Sequence, residues 1–125
     1  MLKDAKLHAS VATADPARSR AWYEAKLGLV PDQEDPGGVL YQFAGDRWLY
    51  VYQSASAGTA QNTVAGWTVA DLVGEMAELR SRGVVFEDYD MPGLKTVEGM
   101  IDFGPAKVAW FKDPDGNIFE LSQVG

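Results

Sequence analysis

The chain has 125 residues, 46% of them hydrophobic and 23% charged, with no cysteine and a formal net charge of −7. This is the make-up of one globular domain that can bury a core without disulfides or metal clips, and the missing thiols remove cysteine nucleophiles, zinc knuckles and iron–sulfur clusters. With 11 basic against 18 acidic residues and no basic tract, nucleic acid and anionic membranes are excluded as expected partners, and a cationic or neutral small ligand is favoured.

The N-terminal residues lead into a strand-like segment instead of an apolar signal core, and no stretch reaches membrane-spanning length, so the expected location is the cytoplasm. At 6–13, Leu7, Ala9 and Val11 alternate with His8, Ser10 and Ala12, the period of a half-buried strand. Asp15 then caps a helix that opens on Pro16 and closes at Gly28, with Trp22, Ala25 and Leu29, and Ala21 beside them, as its apolar stripe. A turn cluster at 31–38 leads to strands at 39–43 and 47–53, joined by Ala44-Gly45-Asp46. After a small-residue linker at 54–61 the order repeats. A strand is expected at 63–70, and Asp71 caps a helix carrying Leu72, Met76 and Leu79 that ends at Gly83. Val84-Val85-Phe86 starts another strand, and a final hairpin at 107–112 and 117–123 turns at Asp113-Pro114-Asp115-Gly116. Asp113, Asp115 and Asn117 have the spacing of a calcium loop, but Pro114 and the lack of the remaining ligands favour a turn. The segment 90–106 is rich in glycine and proline and carries Met100, Ile101 and Phe103, either as a ligand-covering loop or as a plain connector.

The two halves match as β-α-β-β-β units spanning about 5–54 and 62–123. His8 stands seven positions before the first cap and Val64 seven before the second, while the strand endings Tyr52-Gln53 and Ser122-Gln123 make Tyr50 equivalent to Glu120. Strand parity separates two faces. Leu7, Ala9, Val11, Leu49, Val51, Ala65, Trp67, Val69, Phe119 and Leu121 form an apolar row suited to the helices. His8, Ser10, Trp48, Tyr50, Tyr52, Gly66, Thr68, Glu120 and Ser122 form the opposite, polar and aromatic row, which suits a ligand cleft. Trp22 and Trp67 are assigned to the core. Trp48, Tyr50, Tyr52 and Trp110 are the candidate ligand-binding aromatics, with core packing as the competing role.

The strand bearing His8, the run from Asp15-Pro16 through Trp22-Tyr23 to Leu27-Gly28-Leu29, and the ending from Phe111 to Leu121 with its Asp-Pro-Asp-Gly turn together resemble the vicinal oxygen chelate superfamily. That group includes glyoxalase I, bleomycin and fosfomycin resistance proteins and extradiol dioxygenases. The resemblance covers nearly the whole chain. It implies an α+β fold in which two β-α-β-β-β modules form one curved mixed sheet around a cleft, commonly as a homodimer. It also implies, in the enzymatic members, a divalent metal such as zinc, nickel, manganese or iron(II), bound by equivalent strands of both modules. His8 and Glu120 match those ligand positions, whereas Tyr50 and Val64 do not, because valine has no donor and neutral tyrosine is a poor ligand for a hard ion. Glu120 is also the candidate catalytic residue, as the group that would move a proton. Two functions follow: a binding protein that holds a small cationic or aromatic molecule in its cleft, or a metal-dependent lyase, isomerase or dioxygenase using His8 and Glu120. The missing donors favour the first.

Overall fold

The computed structural model describes residues 1–125. Short alternating segments pair as soon as a cap or glycine turn ends them. Strand β1 (Ala9–Thr13) buries Val11 and Thr13. Asp15 follows, and its carboxylate accepts the Arg18 backbone N–H at 3.1 Å to open helix α1 (Pro16–Leu27), which Gly28 closes at φ +69°. Strands β2 (Gln33–Asp35), β3 (Gly38–Phe43) and β4 (Arg47–Gln53) complete a four-stranded sheet in the order β1-β4-β3-β2, with β1 parallel to β4.

The second half repeats this plan. Strand β5 (Thr63–Thr68) precedes Asp71, which accepts the Gly74 N–H at 3.1 Å and opens helix α2 (Leu72–Ser81). The two capping aspartates share φ −138° and ψ of 94° and 93°. Strands β6 (Asp90–Met91) and β7 (Leu94–Lys95) form a small hairpin, and β8 (Met100–Asp102), β9 (Ala106–Lys112) and β10 (Ile118–Val124) join β5 in the order β5-β10-β9-β8. The strand expected from Val84 to Phe86 is reduced to one bridge between Phe86 and Phe111, because β8 occupies the remaining edge of β9. The segment 90–106 is therefore largely strand and turn.

Register bears out the counted equivalences. Ser10 pairs with Tyr50 in the first sheet as Gly66 pairs with Glu120 in the second, so Tyr50 and Glu120 hold matching positions. Ala9 and Ala65, opposite Leu49 and Phe119, place His8 and Val64 in the same relation.

Both modules share one core. Val11, Tyr23, Tyr41, Leu49 and Val51 pack with Leu72, Met76, Phe111, Phe119 and Leu121 in a single buried cluster, against which Trp22 and Trp67 are partly buried. Two expectations are corrected. Leu7 is 83% exposed, because β1 begins only at Ala9 and Leu7 lies before the sheet. Helix α1 buries Ser19 and Tyr23, with Trp22 half-buried, and leaves Ala21 and Ala25 outside. Tyr23 wins that face because its ring stacks on Tyr41 at 5.6 Å and meets Phe119 edge-on at 6.2 Å, while its polar tip has a partner.

That partner is the turn after β9. The Tyr23 hydroxyl donates to Asp113 at 2.8 Å, and the other Asp113 oxygen accepts the backbone N–H groups of Asp115 and Asn117. Asn117 Nδ2 donates to the Ala12 carbonyl at 2.8 Å, and Asp115 accepts the Ala14 N–H and the Arg18 guanidinium at 2.9 and 2.7 Å. The linker joins in, since Gly58 donates its N–H to Asn117; Gly58 has φ +69°, and a side chain there would run into the Asp115 carbonyl. The turn of the second module thus clasps the β1–α1 corner of the first. Burial pushes the Asp113 carboxyl above its usual value despite the hydrogen bonds from Asn117 and Tyr23, and burial together with Asp113 raises the Tyr23 phenol.

Candidate functional site

The apolar rows of the two sheets meet the helices, and the first strands of the two modules, β1 and β5, run side by side without pairing. Small residues keep this seam open. Ala9 on β1 and Ala65 and Gly66 on β5 leave room for a cleft of about 610 Å³, within the roughly 300–1,000 Å³ usual for small-molecule sites. Gly66 has a second role: a Cβ there would lie 2.9 Å from the Glu120 carbonyl oxygen, so glycine lets β5 approach β10.

One wall is aromatic. The His8 imidazole lies flat on the Trp48 indole, centroids 4.8 Å apart and planes 11° from parallel. Phe43 and Trp67, edge to face at 5.7 Å, form another part of the lining with Leu49 and Val64. Polar groups are few. Thr68, 3.5 Å from the Ser122 hydroxyl, and Arg47, at the start of β4, supply them with His8. Such an open cleft can receive a planar apolar body against its aromatic wall and hold one polar end.

The expected site residues fall in four places. His8 and Trp48 come together in the cleft. Tyr50 and Tyr52 stack on each other further along β4, 6.2 Å between centroids, and the Tyr50 hydroxyl donates to Asp35 at 2.9 Å. This bond, followed by the Gly37 N–H, lowers the Asp35 carboxyl, and the same carboxylate raises the Tyr50 phenol. Glu120 is half-buried on β10 between Gly66 and Trp110 and does not line the cleft. Trp110 faces a separate hollow of about 540 Å³ beside the β6–β7 hairpin, edge-on to Tyr89 at 5.6 Å, and donates its indole N–H to Thr63 at 3.1 Å.

The donor set does not fit a resident divalent metal. No three histidine, aspartate or glutamate side chains gather in a geometry that could hold an ion. Of the four positions that the two modules make equivalent, Val64 is an apolar wall of the cleft and the Tyr50 hydroxyl is committed to Asp35. His8 and Glu120 alone would leave most coordination positions to water.

Arg47 and Phe43 were not singled out from the sequence, and of the small seam residues only Gly66 was placed on the cleft row, with Ala9 and Ala65 assigned to the helix-facing one. Arg47 carried a usable signal. It shares the parity of Leu49 and Val51, and a charge at the head of an apolar row needs either solvent or a partner.

Residues 7–121 match the Glyoxalase/Bleomycin resistance protein/Dioxygenase superfamily. No curated protein matches the sequence. Among solved structures, a glyoxalase / bleomycin resistance protein from Catenulispora acidiphila DSM 44928 superposes with a TM-score of 0.72 at 23% identity, covering 96% of this chain and 98% of that one. TnmS3, an antibiotic binding protein from Streptomyces sp. CB03234, gives 0.70 at 23% identity over 100% and 99%. A glyoxalase/bleomycin resistance protein/dioxygenase from Alicyclobacillus acidocaldarius gives 0.71 at 18% over 97% and 92%. At these identities the likeness is one of fold.

Proposed function

Because the chain belongs to the glyoxalase/bleomycin resistance protein/dioxygenase superfamily, we propose that it is a small-molecule-binding protein that holds a compact aromatic compound in the cleft between its modules. The observation that carries this is the cleft's lining, a flat His8–Trp48 stack facing small and apolar residues. The fold shared with TnmS3, named as an antibiotic binding protein, supports the same class of role. Metal-dependent enzymes occur in this superfamily, but a lyase, isomerase or dioxygenase reaction built on His8 and Glu120 would need further donors that these residues do not assemble. We therefore assign Glu120 no catalytic step.

A homodimer and a cytoplasmic location belong to the same proposal. The chain exposes 7780 Å², against about 6,600 Å² expected for a compact monomer of its mass. The surplus of about 1,200 Å² on that scale, and separately the exposure of the apolar side chains Val85, Val97, Phe103 and Val124, support a partner surface. No helix is long and apolar enough to cross a membrane.

Tryptophan fluorescence titrated with neutral bicyclic aromatics tests the binding role. Saturable quenching is expected in the parent and is weakened roughly 3- to 10-fold in Trp48→Ala, the worth of one aromatic contact. Quenching that Trp48→Ala leaves untouched would move the site elsewhere. Calorimetric titration with zinc, nickel, manganese and iron(II) should show no tight stoichiometric binding, and a tight site lost in both His8→Ala and Glu120→Gln would restore the enzymatic alternative. Light scattering on the eluted protein reports the dimer.

A further inference from the structure

We propose that the ligand of this cleft is an aromatic carboxylate, selected by Arg47; this rests on the binding role proposed above and names its chemical class. The charge lining the cleft runs opposite to that of the chain. Acidic residues number 18 in 125, yet none of the cleft's 13 lining residues is aspartate or glutamate, and the side chains there that can carry charge are Arg47 and His8. Arg47 is also uncommitted. Its guanidinium takes part in no ion pair and donates no side-chain hydrogen bond, whereas Arg18, Arg20, Arg80 and Arg82 are each engaged by a carboxylate or a carbonyl. The adjacent Asp46, the nearest acidic residue in sequence, is held by Lys6 at 3.0 Å. A free planar fork matches a carboxylate through two parallel N–H···O bonds, a match that neither an ammonium nor an apolar group offers. The overall charge of −7 acts against an anion only weakly at this point, because at physiological salt exposed charges are screened beyond about 8 Å. Arg47 begins β4 directly before Trp48, and both residues line the cleft.

Three probes of one shape separate the possibilities: 2-naphthoate, 2-naphthamide and 2-naphthylmethylammonium. In calorimetric titrations of the parent protein, the carboxylate should bind about 10-fold or more tightly than the amide, as a charge-assisted bond implies, and the ammonium weakest of all. Arg47→Gln should bring the carboxylate to within about 3-fold of the amide while amide binding persists, and Arg47→Lys should restore part of the preference. The preference should also shrink as salt is raised. Equal binding of carboxylate and amide by the parent, or a preference that survives Arg47→Gln, overturns the assignment of class and leaves the binding role standing. Trp48→Ala should weaken all three probes together. Absence of saturable binding by any of the three in the parent overturns both.

Discussion

The two modules share a backbone and divide the chemistry. Their capping aspartates are conformationally almost identical, their sheets have the same strand order, and Tyr50 and Glu120 occupy matching points of the ladder. Side chains at matching positions nevertheless serve different ends. The first module supplies the stacking surface and the free cation, through His8, Arg47 and Trp48, and turns from β3 to β4 through the exposed Ala44-Gly45-Asp46. The second supplies the apolar and small walls, through Val64, Ala65 and Gly66, and turns from β9 to β10 through the buried fastening of Asp113 and Asn117. A repeated fold thus constrains where side chains point far more tightly than what they do.

Each prediction tests how far this division holds. The largest effects belong to the shared core. Phe119→Ala should cost about 3–5 kcal/mol and Leu49→Ala, at the matching place in the first module, about 2–5 kcal/mol. Both variants should unfold in a single transition by urea denaturation, since one cluster spans the two halves. Two transitions, with Leu49→Ala moving only one, would mean that the modules are separate folding units.

Next comes the clasp. Tyr23→Phe strips Asp113 of a buried donor and should lower stability by about 1–3 kcal/mol. The pH dependence has a definite sign. Asp113 titrates above its usual value in the fold, so its ionisation costs stability as pH rises from the ordinary carboxylate value through the raised one. The Tyr23 hydroxyl favours the ionised form, so the deficit of Tyr23→Phe should be full above the raised value and should shrink on acidification below it. Paired melts of parent and variant across that range read the difference, and a constant deficit would dissociate Tyr23 from Asp113.

Smaller still is the contrast at the seam. Gly66→Ala places a methyl 2.9 Å from the Glu120 carbonyl oxygen and should cost about 1–2 kcal/mol by prying β5 from β10, whereas Ser10→Ala, its counterpart, should stay within about 0.5 kcal/mol. The smallest effect is expected at Glu120→Gln. That side chain is half-buried without an ion pair, and its replacement should change stability by no more than about 0.5 kcal/mol. Chemical denaturation measures each, and a large loss in Glu120→Gln would place the residue in a structural network.

What the sequence made legible was local. Asp15-Pro16, Asp71 and Asp113-Pro114-Asp115-Gly116 announce caps and a turn through their immediate neighbours; counting from the caps located the equivalence of His8 with Val64, and the matching strand endings located that of Tyr50 with Glu120. The illegible part depends on partners far along the chain. Nothing near Tyr23 hints that Asp113, 90 positions later, will satisfy its hydroxyl and draw it inside in place of Ala21 and Ala25. Likewise the cleft exists because β1 and β5 abut without pairing, a fact about two modules that neither strand encodes alone.

The clasp between the second module's turn and the first module's corner also sets a timetable for synthesis. Ala14 and Ala12 receive their partners from Asp115 and Asn117, 101 and 105 positions downstream. A chain leaving the ribosome at roughly 5–20 residues per second therefore keeps that corner unfinished for about 5–20 s. During this interval the nascent first sheet carries apolar surface that only the arriving second module can cover, and the wait itself becomes the moment at which the growing chain is most open to capture by a chaperone or by another copy of itself.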